Sequence, residues 1–229
     1  ARTLFLRLST SYALNEVEPV LKVAPSLDIK FASFGMDEYR IKCGILWASS
    51  LKLAGQTELA LRVLERIRKS VNAISPALLG WILAETGDIH GIRGDLHRGL
   101  ESLEQAASLL RNTRQLTGLA GVNLAIGFIC RAQGLFSEAV RLFAPCVVDY
   151  ERLGMGASVA YARLLIAETY LAMQLPREAE KEIMRALPIL DEEGIVSDAI
   201  VALSILREAV RRQKLDPQML RDIRERLRP

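Results

Sequence analysis

Histidine beside carboxylate is the pairing that most often ligates a metal or moves a proton. This chain holds two histidines, His90 and His97, both in the segment GDIHGIRGDLHRG. With Asp88 and Asp95 they form a repeated Asp-x-His, a set suited to zinc or nickel. The two halves flank a predicted turn at Gly94, however, and so belong to different helices that nothing forces to converge. Asp95 directly follows the turn glycine, where a helix-capping role is expected. No Ser/His/Asp arrangement has motif support. The segment LGMGAS carries Gly154 and Gly156, but no Walker lysine and no preceding strand, so it reads as a loop between structural units. Cys43, Cys130 and Cys146 are odd in number, widely spaced and without a CxxC, which predicts buried thiols in a reducing compartment. Cys130 and Cys146 fall on paired helices. The expectation is a protein without catalytic residues, metal or cofactor.

Composition narrows the class further. The chain has 229 residues, of which half are hydrophobic and only 6% aromatic. Disordered, collagen-like and disulfide-stapled classes are excluded on these grounds. Scarce aromatics and the lack of Val/Thr alternation argue against an all-β fold. The net charge of +3 is too small and too dispersed for a dedicated nucleic-acid binder. The most apolar stretch, Leu119 to Cys130, is short and contains Asn123, so no membrane span is expected. No signal-peptide pattern opens the sequence, and a cytoplasmic protein is expected. The first residue is Ala1 rather than Met, as in a fragment or processed product.

A repeat organises the chain. Gly55, Gly94 and Gly134 each end an apolar-periodic stretch, and Gln174 takes the same place in a fourth copy, at spacings of 39, 40 and 40. Five residues after each turn stand Ala60, Gly99, Ala139 and Ala179; nine after stand Leu64, Leu103, Phe143 and Ile183; twelve after stand Ile67, Ala106, Cys146 and Ala186. Seven before stand Ala48, Gly87, Gly127 and Ala167, and four before stand Leu51, His90, Cys130 and Tyr170. This pattern predicts two antiparallel helices around a tight turn. Small residues let the helices approach, and bulky residues one helical turn on fill the gap. One such hairpin cannot cover its own apolar faces, whereas stacked hairpins can.

The pattern resembles the tetratricopeptide repeat (TPR), most clearly in the third copy, with Gly127, Gly134, Ala139 and Phe143 in and before CRAQGLFSEAVRLF. The resemblance covers roughly residues 38–190. The period is about 40 where the family has 34, and the family's proline after the second helix is missing. Longer helices of this kind are similar to TPR arrays of bacterial regulatory proteins. The resemblance implies an all-α, right-handed α-solenoid of antiparallel helix pairs, a TPR-like superhelix. A single domain over 1–229 is expected, with approximate pairs 1–33, 37–72, 77–112, 117–153, 157–192 and 195–229.

Extending the register outward predicts helices over Arg2 to Ala13 and a short one over Glu16 to Val23, broken at Pro25. It also predicts helices over Ile195 to Arg212 and, capped by Asp216, over Pro217 to Arg228. Pro145 and Pro188 fall inside second helices, which each should kink or end. The basic C-terminal segment is interleaved with acids and suits a solubilising cap better than nucleic-acid binding.

In a TPR-like array the first helices line a concave face. The residues expected there are Phe5 and Tyr12 on the first, Lys42 and Lys52 on the second, Trp81 and Asp88 on the third, Phe128 and Arg131 on the fourth, and Tyr161 and Glu168 on the fifth. Aromatic anchors dominate interfaces, so the expected partner is a protein or peptide segment held in this groove. A homodimer through a terminal pair is also compatible with the pattern. A ligand-sensing regulatory domain, changing curvature around a small molecule or short peptide, is the alternative.

Overall fold

The computed structural model describes residues 1–13, 16–70, 75–195, 201–205, 207, 208 and 211. All regular structure among them is helical. The helices are α1 (Arg2–Ala13), α2 (Val17–Ser33), α3 (Asp37–Leu53), α4 (Thr57–Ser70), α5 (Pro76–Ile92), α6 (Leu96–Asn112), α7 (Leu116–Ala132), α8 (Phe136–Arg152), α9 (Gly156–Ala172) and α10 (Pro176–Glu192). The chain is an all-α, helix-pair repeat fold of the α-solenoid kind.

Eight of these helices are 17 residues long, and the same turn follows each of eight helices. The residue at each turn has φ between +56° and +82°: Gly35, Gly55, Gly94, Arg114, Gly134, Gly154, Gln174 and Gly194. Each turn closes with two bonds of the Schellman motif. At the first, the Gly35 N–H donates to Ala32 O and the Met36 N–H to Phe31 O; at the last, Gly194 donates to Asp191 O and Ile195 to Leu190 O. The structural unit is therefore about 20 residues, one helix and one turn, and the 40-residue sequence period is two of them. Gly154 is the turn residue between α8 and α9, whereas Gly156 is the first residue of α9.

Arg114 and Gln174 are the two turn residues with a side chain in this left-handed region. That conformation costs an L-residue roughly 1–2 kcal/mol, which glycine avoids. Gln174→Gly is expected to raise the unfolding free energy by roughly 0.5–1 kcal/mol, the glycine's larger unfolded-state entropy offsetting part of the gain. Chemical denaturation checks this; a loss of stability would show that the Gln174 side chain makes compensating contacts.

One expectation about proline is corrected, at Pro25, and two are narrowed. α2 runs unbroken through Pro25 to Ser33, so neither the short helix to Val23 nor the break at Pro25 occurs. α8 continues through Pro145, and α10 through Pro188, so neither proline ends its helix. Pro145 and Pro188 are exposed and Pro25 half-buried, each away from the residues its helix buries. The carbonyl that each ring leaves unpaired can then be reached by water, and packing on the opposite face holds the helix together. At the C-terminal end, Ile195 closes the preceding turn, and residues 201–205, 207, 208 and 211 are helical. The expected Pro217 to Arg228 helix, its Asp216 cap and most of the basic segment lie outside the described residues.

The chain forms two compact units, Ala1–Ile129 and Cys130–Pro229, the boundary falling within α7. The first unit has no single central core. One cluster joins α1, α2 and α3 around Leu8, Leu27, Phe31 and Cys43. A second joins α3, α4 and α5 around Ile41, Leu64, Ile67 and Ile82. A third joins α5, α6 and α7 around Leu83, Leu103, Leu110 and Val122. The second unit has a comparable cluster around Leu164, Leu171, Ile183 and Leu190 on α9 and α10. Each cluster is completed by the neighbouring hairpin, as stacking of individually insufficient units requires. The register positions predicted to pack do so: Ala60, Leu64, Ile67, Ala139, Phe143, Cys146, Ala179, Ile183 and Ala186 are all buried to within about one per cent.

Candidate functional site: a ladder across the first helices

Counting from the turn residue, Lys52 and Arg131 each stand three before it, as Tyr12 does from Asn15, the sequence position forty before Gly55. Ser49, Asp88 and Glu168 stand six before the turn of the next pair. The structure joins the second and third of these pairs; Ser49 Oγ instead donates to Ile45 O within its own helix at 3.0 Å. Lys52 on α3 donates to Asp88 Oδ2 at 2.6 Å and to Glu85 Oε2 at 3.0 Å, both on α5. Arg131 on α7 donates to Glu168 Oε2 on α9 at 2.6 Å. The result is one polar tie between neighbouring first helices in each unit, made at the same register. At the α5–α7 junction the same two positions are Gly91 and Phe128.

Tyr12, Lys52 and the two carboxylates of α5 form one neighbourhood in the first unit. The Lys52 side chain is only 14% exposed. Burial pushes its ammonium pKa down, but Glu85 and Asp88 outweigh burial and hold it above the ordinary lysine range. Burial pushes the Tyr12 phenol up, and Glu85 adds to that rise. No nucleophile with a lowered pKa stands among these residues. Their chemistry is that of a fixed, charged surface.

The other expected groove residues are placed as follows. Phe5 is half-buried, edge-on to Phe31 at 6.2 Å and to Tyr39 at 5.9 Å. Lys42 is exposed, donates to Glu38 at 2.6 Å and lies 5.9 Å from the Tyr39 ring centre. Trp81 is half-buried against the α5–α7 cluster, so close to α7 that a Cβ at Gly118 would stand 2.9 Å from its ring. Phe128 is half-buried, and Tyr161 is 43% exposed. Glu85, which the sequence did not single out, lies nine before its turn and reaches Lys52 along the helix axis. The repeat alone could not reveal this, because it gives the register of the first helices but not the distance between them.

Outside the first-helix face, Asp28 on α2 is 3% exposed and accepts from Arg40 Nε at 3.2 Å and Arg66 Nη2 at 3.0 Å. The Arg66 guanidinium also lies 5.2 Å from the Trp47 ring centre. In the second unit Arg163 bridges Glu151 and Glu182 at 2.8 Å each. These clusters are internal to the packing of the pairs.

The Asp-x-His doublet does not assemble a metal site: no group of three or more His, Cys, Asp or Glu that could hold an ion occurs among the described residues. Asp95 instead caps α6, accepting from the Arg98 N–H, and Asp88 is engaged with Lys52. No helix among the described residues is long and apolar enough to cross a membrane. All three cysteines are buried thiols.

Burial raises the Cys43 and Cys146 thiols from the ordinary 9.0 to about 12, with Asp28 and Asp149 adding to it respectively. It raises Tyr150 from 10.0 to about 12, with Cys146 adding to it. In the unfolded chain these groups lose their protons near their ordinary values, while the folded chain keeps them. Between those limits the unfolded state binds fewer protons, so stability falls as pH rises. The raised Lys52 acts in the same direction. Full stability is expected up to about pH 9, with progressive loss towards pH 12. Thermal melts at pH 7.5, 9 and 10.5 check this; a midpoint unchanged at pH 10.5 would contradict it.

No family model and no curated protein sequence matches the chain. Solved structures do. BtubC (BKLC) from P. vanneervenii aligns with a TM-score of 0.61 at 15% identity, covering 97% of this chain and 94% of that one. A chain of the APC/C hetero-tetramer Cut9–Hcn1 aligns with a TM-score of 0.59 at 14% identity, over 91% of this chain and 42% of that one. The kinesin light chain TPR-like repeats of Podosopora anserina align with a TM-score of 0.56 at 17% identity, over 84% and 95%. At these identities the likeness establishes the fold, a TPR-like repeat of helix pairs.

Proposed function

We propose that the chain is a non-enzymatic scaffold that binds a protein or peptide segment along the face formed by its first helices. One observation carries this reading. In both units, residues of neighbouring first helices are tied at the same register, which fixes those helices side by side as a continuous, preorganised strip within each unit. Preorganisation lowers the entropic cost of binding an extended or helical segment. Lys42 is exposed on the first helices of the first unit and Tyr161 on those of the second. That a chain of this fold is solved within the Cut9–Hcn1 hetero-tetramer supports a protein-binding role for a fold of this kind. The setting we propose, on the 40-residue period, is a module of a bacterial regulatory protein.

The test is binding by the full chain of a partner captured from its native cell. Lys42→Glu and Tyr161→Ala sit on the first-helix face; Arg62→Glu and Arg177→Glu sit on exposed positions of second helices. Affinity should fall about tenfold or more for at least one of the first pair, the loss expected of an anchor residue. It should be unchanged for the second pair. The reverse pattern would remove the first-helix face from the proposal.

A further inference from the structure

Glu85 stands where the repeat calls for no charge. Nine residues before the turn, the first helices carry Leu6, Leu46, Glu85, Ala125 and Leu165. The other four are apolar, and Ala125 and Leu165 are buried. The Glu85 side chain is 18% exposed. A carboxylate in a packing position lowers stability unless it is matched, and such departures from the local pattern gather at functional sites. Lys52 does not require it, because Asp88 Oδ2 already meets the ammonium at 2.6 Å.

The two carboxylates and the one ammonium leave an excess of one negative charge. Lys52 keeps its proton at neutral pH, since Glu85 and Asp88 hold it above the ordinary lysine range. Each carboxylate spends one oxygen on it, Glu85 Oε2 at 3.0 Å and Asp88 Oδ2 at 2.6 Å. Glu85 Oε1 and Asp88 Oδ1 accept no hydrogen bond from the described residues, and neither is shut off from solvent. Tyr12 on α1 adjoins them, its half-buried phenol close enough to feel both carboxylates and the lysine. Three first helices, α1, α3 and α5, thus surround a surplus charge that partial burial leaves weakly screened. The free oxygens suit an ammonium or guanidinium and repel an anion.

We propose that Glu85 and Asp88, beside Tyr12, form the place on the first-helix face that takes a lysine or arginine side chain of the bound segment. This rests on the scaffold reading and adds to it the chemistry of one anchor.

A phage-displayed library of random dodecapeptides, selected on the full chain, tests the idea. The selected peptides are expected to share a lysine or arginine at one position. Norleucine at that position in a synthetic copy should weaken binding about tenfold or more, a readout that leaves the protein untouched. Glu85→Gln keeps the shape and leaves Asp88 on Lys52. It should weaken the parent peptide by a similar factor and leave the norleucine copy unchanged. Equal losses for both peptides would reduce Glu85 to a structural role and overturn the proposal. Lys52→Gln raises the excess to two negative charges and should tighten the parent peptide several-fold; unchanged or weaker binding would overturn it. Binders that share no basic residue, or a norleucine copy that binds as well as its parent, would overturn the anchor and leave the scaffold standing. A library that yields no binder would overturn both.

Discussion

Phe31→Ala is expected to lower the unfolding free energy by about 3–5 kcal/mol, the range for truncating a fully buried aromatic. Phe31 is wholly buried between α1, α2 and α3. It stacks on Tyr39 at 5.5 Å and meets the edge of Phe5 at 6.2 Å. Among the described residues α1 packs on α2 and α3 through a small set of side chains, Leu4, Phe5, Leu8 and Tyr12. The cavity left by the ring would sit under Phe5, and α1 would lose its main apolar support. Phe5 and Tyr12 would then leave the first-helix face together. Urea unfolding measures the loss, and exchange of α1 amides measures the detachment. A loss below 1 kcal/mol would mean that α1 is held elsewhere.

Asp28→Ala is the second large effect. Asp28 is buried on α2 and is shared by Arg40 on α3 and Arg66 on α4. Removing the carboxylate leaves the Arg40 guanidinium, 17% exposed, without its counter-charge. Breaking a buried pair from one side costs about 3–5 kcal/mol, because the remaining ion stays desolvated. Arg66 is about half exposed and can turn to water, so the lower end, about 3 kcal/mol, is expected. Asp28→Ala combined with Arg40→Met should recover part of the loss, since an apolar pair of similar volume avoids the stranded charge. Denaturation of the single and double variants checks both statements. Equal stability of the two variants would show that the charge of Arg40 is not the cost.

Much of the repeat was legible in the sequence because it is a matter of spacing along one chain. Gln174 was placed at a turn from its position alone, and its φ of +60° agrees. The small and bulky residues five and nine after each turn are buried as their spacing requires. The finer period of 20 was hidden, because only one of the two turn types was aligned, and Arg114 interrupts the glycines of the other. Pro25 misled for a different reason. A proline breaks an isolated helix, but Pro25 lies off the face by which α2 is packed, and that face holds the helix together. Glu85 was missed, and Phe5 and Trp81 proved half-buried, because contacts between hairpins depend on how the hairpins stack.

The central claim, that successive first helices present the face a partner occupies, is tested most directly by photo-crosslinking. A benzophenone amino acid placed at Lys42 or Tyr161, and in separate chains at Arg62 or Arg177, is irradiated in native cell extract and the adducts are mapped by mass spectrometry. The account predicts a discrete protein adduct from Lys42 or Tyr161 and none from the two second-helix positions. Adducts confined to Arg62 or Arg177 would contradict it.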